Sequence, residues 1–142
     1  KRYGEANTNT AKAELWLGEW NLRAGNLDAA AEHLAEIEAS KASFSPLLQA
    51  QRETLAAGIA AARKDREDEF AARKLAWDVM SQAKSFGIEH PLTAEFAIAY
   101  AAALDDAGRK DEARAIATPA IPIVEASFAE DAPVRKQLSR WR

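Results

Sequence analysis

The apolar positions of this chain recur at three- and four-residue intervals, and no stretch alternates apolar and polar residues as a half-buried strand would. Leu17 with Trp20, Leu34 with Ile37, Leu55 with Ile59, and Phe96, Tyr100 and Leu104 each mark one face of a helix. Phe70, Trp77, Met80, Ile116 and Ile121 extend the expected core, and Val134, Leu138 and Trp141 repeat the spacing near the C-terminal end. Punctuation divides the pattern. Pro46, Pro91 and Pro133 each suit the first position of a helix, where a missing N–H costs nothing. Ser45 and His90 stand where caps belong. Gly25 and Gly108 supply the left-handed conformation that ends a helix, and carboxylates follow at Asp28 and at Asp111-Glu112 for the first turn of the next. These signals predict helices over 9–24, 27–40, 46–63, 67–85, 91–107 and 110–127, then a closing helix within 131–142. Thr118 as a cap before Pro119, with Pro122 beyond, predicts a kink or break at 117–119. Alanine is abundant, with Glu, Lys, Arg, Leu and Gln around it, so the expected class is all-α.

A repeat underlies the punctuation. Tyr3-Gly4-Glu5-Ala6-Asn7-Thr8 aligns with Phe86-Gly87-Ile88-Glu89-His90-Pro91, and a third copy begins at Phe128 with Glu130-Asp131-Ala132-Pro133. The successive steps, Thr8 to Pro46, Pro46 to Pro91 and Pro91 to Pro133, are 38, 45 and 42 residues. In the middle unit the turn is Lys64-Asp65-Arg66 without glycine, and its extra length fits an extended turn. The units run over about 3–40, 41–85 and 86–127 within one domain.

Leu17-Gly18, Gly25, Ala30 and Leu34 resemble the consensus of the tetratricopeptide repeat, and Ala101, Gly108, Ala113 and Ala117 occupy the corresponding small positions of the third unit. The long step is similar to that of kinesin-light-chain-type repeats, which are also found in bacterial signalling proteins. The first and third units carry this resemblance; the middle one keeps almost none of the consensus, and Glu14 stands where a large aromatic is expected. What the resemblance implies is a right-handed superhelical stack of three antiparallel helix pairs plus a capping helix. It also implies a concave groove lined by the first helix of each pair. Carried across, the groove positions are Lys12, Leu15, Trp16, Glu19 and Arg23, then Glu53 with Thr54 and Ala57, then Glu95, Ile98, Ala102 and Asp105. Trp16 is either an apolar anchor for a partner or a residue packed on the segment around Tyr3. A basic array that clamps a C-terminal carboxylate is not maintained, and the acidic end at Glu95, Asp105 and Asp106 favours a basic partner.

Composition narrows the chemistry. The 142 residues suffice for one core, and with no Cys there is no disulfide, thiolate nucleophile or Cys-based zinc site, while the redox compartment stays open. A net charge of −3 argues against a nucleic-acid binder, and no apolar run approaches the roughly 20 residues that span a bilayer. Lys1 in place of Met points to a piece of a longer protein. His33 and His90 are the only imidazoles; Glu32-His33 with Glu36 has a spacing that can bind metal, but with no second His nearby the group reads as a solvated helix surface. There is no phosphate loop, nucleophile elbow or zincin signature. Arg135, Lys136, Arg140 and Arg142 make the last helix basic, which suits the solvated outer face of a capping helix. The expectation is a noncatalytic protein–protein interaction scaffold without cofactor or metal, a regulatory or sensory module of a larger bacterial signalling protein that receives a peptide or neighbouring domain. The alternatives are a homo-oligomerisation module acting through an end repeat and a helical accessory domain of an enzyme.

Overall fold

A computed structural model describes residues 2–40 and 44–142, with side chains from Thr8 onward. The described residues form helices and no strand: α1 (Arg2–Arg23), α2 (Leu27–Ala39), α3 (Pro46–Ala62), α4 (Arg66–Gln82), α5 (Pro91–Asp106), α6 (Lys110–Ser127), α7 (Pro133–Gln137) and a final 3-10 turn (Leu138–Trp141). Two compact units divide the chain, one ending at Ala72 and the other beginning at Arg73, so the boundary falls inside α4.

Local chemistry sets most of these limits. The Ser45 hydroxyl accepts from the Leu48 amide at 3.2 Å, and His90 Nδ1 accepts from the Leu92 amide at 3.1 Å, each just ahead of a proline-started helix. α1 begins at Arg2 rather than near residue 9, because residues 2–8 hold no proline to stop the helix growing backwards. The middle turn is not extended. Ala24-Gly25-Asn26, Arg63-Lys64-Asp65 and Ala107-Gly108-Arg109 are three turns of one length, with the central residue left-handed at φ 83°, 62° and 84°. Each closes with the third turn residue donating to the carbonyl five positions back: Asn26 to Asn21 at 2.8 Å, Asp65 to Ala60 at 2.8 Å, Arg109 to Leu104 at 2.9 Å. The extra length of the middle step lies instead after α4, which ends at Gln82 and leaves a loop over 83–90.

Of the kink or break expected near 117–119, a break does not occur; α6 runs through both prolines. Ala113, Ala117, Ala120 and Val124 are buried along one face of α6, and packing against α5 along that face offsets the hydrogen bonds that Pro119 and Pro122 cannot make. Thr118 caps nothing; its hydroxyl donates back to the Arg114 carbonyl at 2.7 Å.

In the first unit, α1, α2 and α3 pack on one another around Leu15, Ala30, Ile37, Leu48, Leu55 and Ile59. Two glycines set the approach of α1 to α3. A Cβ at Gly18 would lie 2.6 Å from Leu55 Cδ2, and one at Gly58 would lie 2.5 Å from Leu22 Cδ2, so each helix offers a glycine to the other's leucine. Trp20, expected in the core, is 61% exposed. The inward row of α1 is Ala11, Leu15, Gly18 and Leu22, and a residue two positions after Gly18 points away from it.

In the second unit, α5 and α6 meet through small side chains, Ala94, Ala97 and Ala101 against Ala113, Ala117 and Ala120. Val134, Leu138 and Trp141 are buried as α7 and the 3-10 turn close over this pair. The basic outer face of that segment is largely tied down. Arg135 donates to the carbonyls of Glu125 and Phe128, both at 3.0 Å, and Arg142 pairs with Glu125.

Candidate functional site

Of the positions carried across from the repeat family, Lys12, Leu15, Trp16 and Glu19 line one shallow groove of about 340 Å³ in the first unit. Its opposite wall is the start of α3, with Ser45, Leu47, Leu48 and Gln51. Ser45 and Pro46 fix where α3 begins, and the glycine–leucine pairs hold α3 close to α1. Leu15 and Leu48 form a buried floor, and Trp16 stands beside it 65% exposed. Burial raises the Glu19 pKa, an effect that Arg23 one turn later partly offsets. The groove thus joins an apolar floor, an aromatic wall and a partly desolvated carboxylate. That combination suits an apolar side chain next to a basic one.

The remaining positions do not join this groove. Glu53 is half-buried and pairs with Arg52 at 3.1 Å, whose guanidinium also stands 5.7 Å from the centre of the Phe44 ring. Ala57 is buried. Ile98, expected on an accessible face, is only 1% exposed because α5 turns that side toward its own unit's core. Glu95 lies at the surface of the second unit, where partial burial raises its carboxyl pKa. Asp105, expected to meet a basic partner, is occupied within the chain. Lys110 lies 3.0 Å from it and Arg140 2.9 Å, and Arg140 also reaches Asp106 at 2.8 Å. Hydrogen bonds from Lys110 and Arg140 hold its pKa below the usual carboxylate range. These acids anchor the C-terminal segment to the end of α5.

His33 pairs with Glu14 at 3.1 Å, across α2 and α1, rather than turning to Glu32 and Glu36. Among the described residues no group of three or more His, Asp or Glu side chains is placed to hold a metal ion. No helix among them is long and apolar enough to cross a membrane.

A second groove, of about 270 Å³, lies wholly in the second unit and was not anticipated from the sequence. Alanines of α5 and α6 leave it open, Trp77 and Ile123 stand at its sides, and Ile88 and Pro119 form part of its lip. Trp77 is positioned by Tyr100, with ring centres 6.2 Å apart. The one signal for this groove in the sequence is the run of small residues facing each other on α5 and α6. Taken alone, such a run marks close helix packing as readily as a cavity. No family model, curated protein or solved structure matches the chain.

Proposed function

We propose that this protein is a noncatalytic helical-repeat scaffold of the tetratricopeptide type, which binds a protein segment in the groove between α1 and α3. The observation that carries the reading is Trp16, 65% exposed beside the buried floor of Leu15 and Leu48. A large exposed aromatic at the edge of an apolar groove is the kind of residue that supplies hot-spot energy at interfaces. Glu19 and Lys12 supply the charges that orient the segment, with Glu19 taking a basic residue next to the apolar anchor. Support for the repeat architecture comes from the three equivalent turns and the recurring steps between helix starts. In this reading the module recruits a partner within a larger bacterial signalling protein.

The test is a screen of short peptides carrying one aromatic or leucine residue beside Lys or Arg, followed by titration of the best binder. Trp16→Ala is expected to weaken that peptide at least about tenfold, with the helical circular dichroism unchanged. Unaltered affinity in that variant would remove the groove as the site. A second reading, self-association through the exposed Trp16 and Trp20, is tested by light scattering across concentration; a strict monomer excludes it.

A further inference from the structure

Beyond peptide recruitment, the geometry points to the groove of the second unit as a binding site for a small amphiphilic amine, an apolar ring-sized body carrying one ammonium group. The apolar part follows from the lining. Ala94, Ala97 and Ala120 form a floor of methyl groups, and Trp77 and Ile123 flank it. Ile88, in the loop before α5, is 60% exposed at the rim and lacks cover on its outer side.

The charge of the ligand follows from two acceptors. Glu89 is the only ionisable side chain in the lining. Pro119, also in the lining, has no N–H, so the carbonyl oxygen of Ala115 loses the donor that a helix would place four residues on. Here the interior proline leaves a backbone acceptor on the helix that lines the groove instead of a chain break. A carboxylate and a freed carbonyl call for a donor that bears positive charge, and no lining residue offers a cation to an anion. A groove of about 270 Å³ is of the size that takes a free small molecule.

The experiment uses the whole chain, titrated with phenethylamine, its neutral counterpart phenethyl alcohol, and the anion hydrocinnamate, followed by amide chemical shifts and calorimetry. Phenethylamine is expected to give saturable shifts at Ala94, Ala97 and Ala120. The alcohol should bind about three- to fivefold more weakly, the worth of one exposed ion pair, and the carboxylate should not saturate. Glu89→Gln, at an exposed loop position, should erase the preference for amine over alcohol and keep both bound. Ala115→Phe, at an exposed position of α6, should fill the groove and abolish binding of both with the helical signal retained. Trp16→Ala should leave the amine titration unchanged, which separates this site from the peptide groove. The proposal is overturned by absence of saturable shifts, by equal binding of amine and carboxylate, or by binding that survives Ala115→Phe. It is also overturned if an acetylated Phe-Lys amide binds more tightly than the free amine, since the site would then read a protein segment.

Discussion

The α1–α2 and α5–α6 pairs are joined by the same three-residue turn yet are held together in different ways. Around Gly25 and Gly108 the left-handed angle agrees to within a degree, and the same closing hydrogen bonds form. Beyond the turn the likeness ends. α5 and α6 approach through alanines, and the chain then returns to seal them with Val134, Leu138 and Trp141. In the first unit the core is built from larger aliphatic residues, and the outer face of α1 keeps Trp16 and Trp20 in solvent. The comparison teaches that a helix pair closes through whatever covers its outer side. In the second unit that cover belongs to the chain itself. Along α1 the two tryptophans remain open to another molecule.

The sharpest way to break this comparison is to remove large side chains from both places. Leu138, in the closing segment, is fully buried, so Leu138→Ala should cost about 2–5 kcal/mol through lost transfer energy and the cavity left behind. Trp20→Ala removes a bigger side chain but one already in water, and should change stability by no more than about 0.5 kcal/mol. Urea unfolding of both variants reads the difference. Equal losses would mean that the outer face of α1 is covered after all.

The turns allow a finer test, because one of the three lacks glycine. Lys64 holds a left-handed angle that costs a residue with a Cβ about 1–2 kcal/mol. Lys64→Gly should therefore stabilise the chain by about 0.5–1 kcal/mol, with part of the relief offset by the added freedom of the unfolded chain. Gly108→Ala should destabilise by about 1 kcal/mol, since space is open around Gly108 and only its angle resists a side chain. Thermal melts of both variants check the opposite signs; the same sign in both would show that the turns are not equivalent.

The helices were legible because their limits are local. Pro46 and Pro91 with their caps, and Gly25 and Gly108 with theirs, work through atoms a few residues apart. Where the reading failed, a distant contact had decided. Pro119 argues for a break as long as the buried alanine face of α6 is out of view. Trp20 reads as core until the row through Gly18 is seen to face Leu55. Asp105 reads as a free acid until Arg140, 35 positions later, arrives beside it. Four of the groove positions came together because they lie on successive turns of α1, whereas Glu53, Ile98 and Asp105 depended on packing that their spacing does not encode.

The smallest expected effects separate the carboxylates of the two units by pH. Glu19 has a pKa raised above 4.5 by burial, so its ionised form is less favourable folded than unfolded. Glu19→Gln should then be more stable than the parent at neutral pH, and the gap should close as the pH falls through the raised value toward 4.5. Asp105 behaves in the opposite sense. Its pKa is held below 3.8, first by the hydrogen bonds from Lys110 and Arg140. Its contribution is present in full above 3.8 and is lost as the pH falls through the lowered folded value. Asp105→Asn should accordingly be less stable than the parent at neutral pH, by a margin that stays constant down to 3.8 and shrinks only below it. Urea midpoints measured across this range for the parent and both variants read the two signs separately. A margin for Asp105→Asn that already narrows well above 3.8 would detach Arg140 from Asp105. The closing segment would then owe its place to the buried Val134, Leu138 and Trp141 and to the contacts of Arg135 and Arg142.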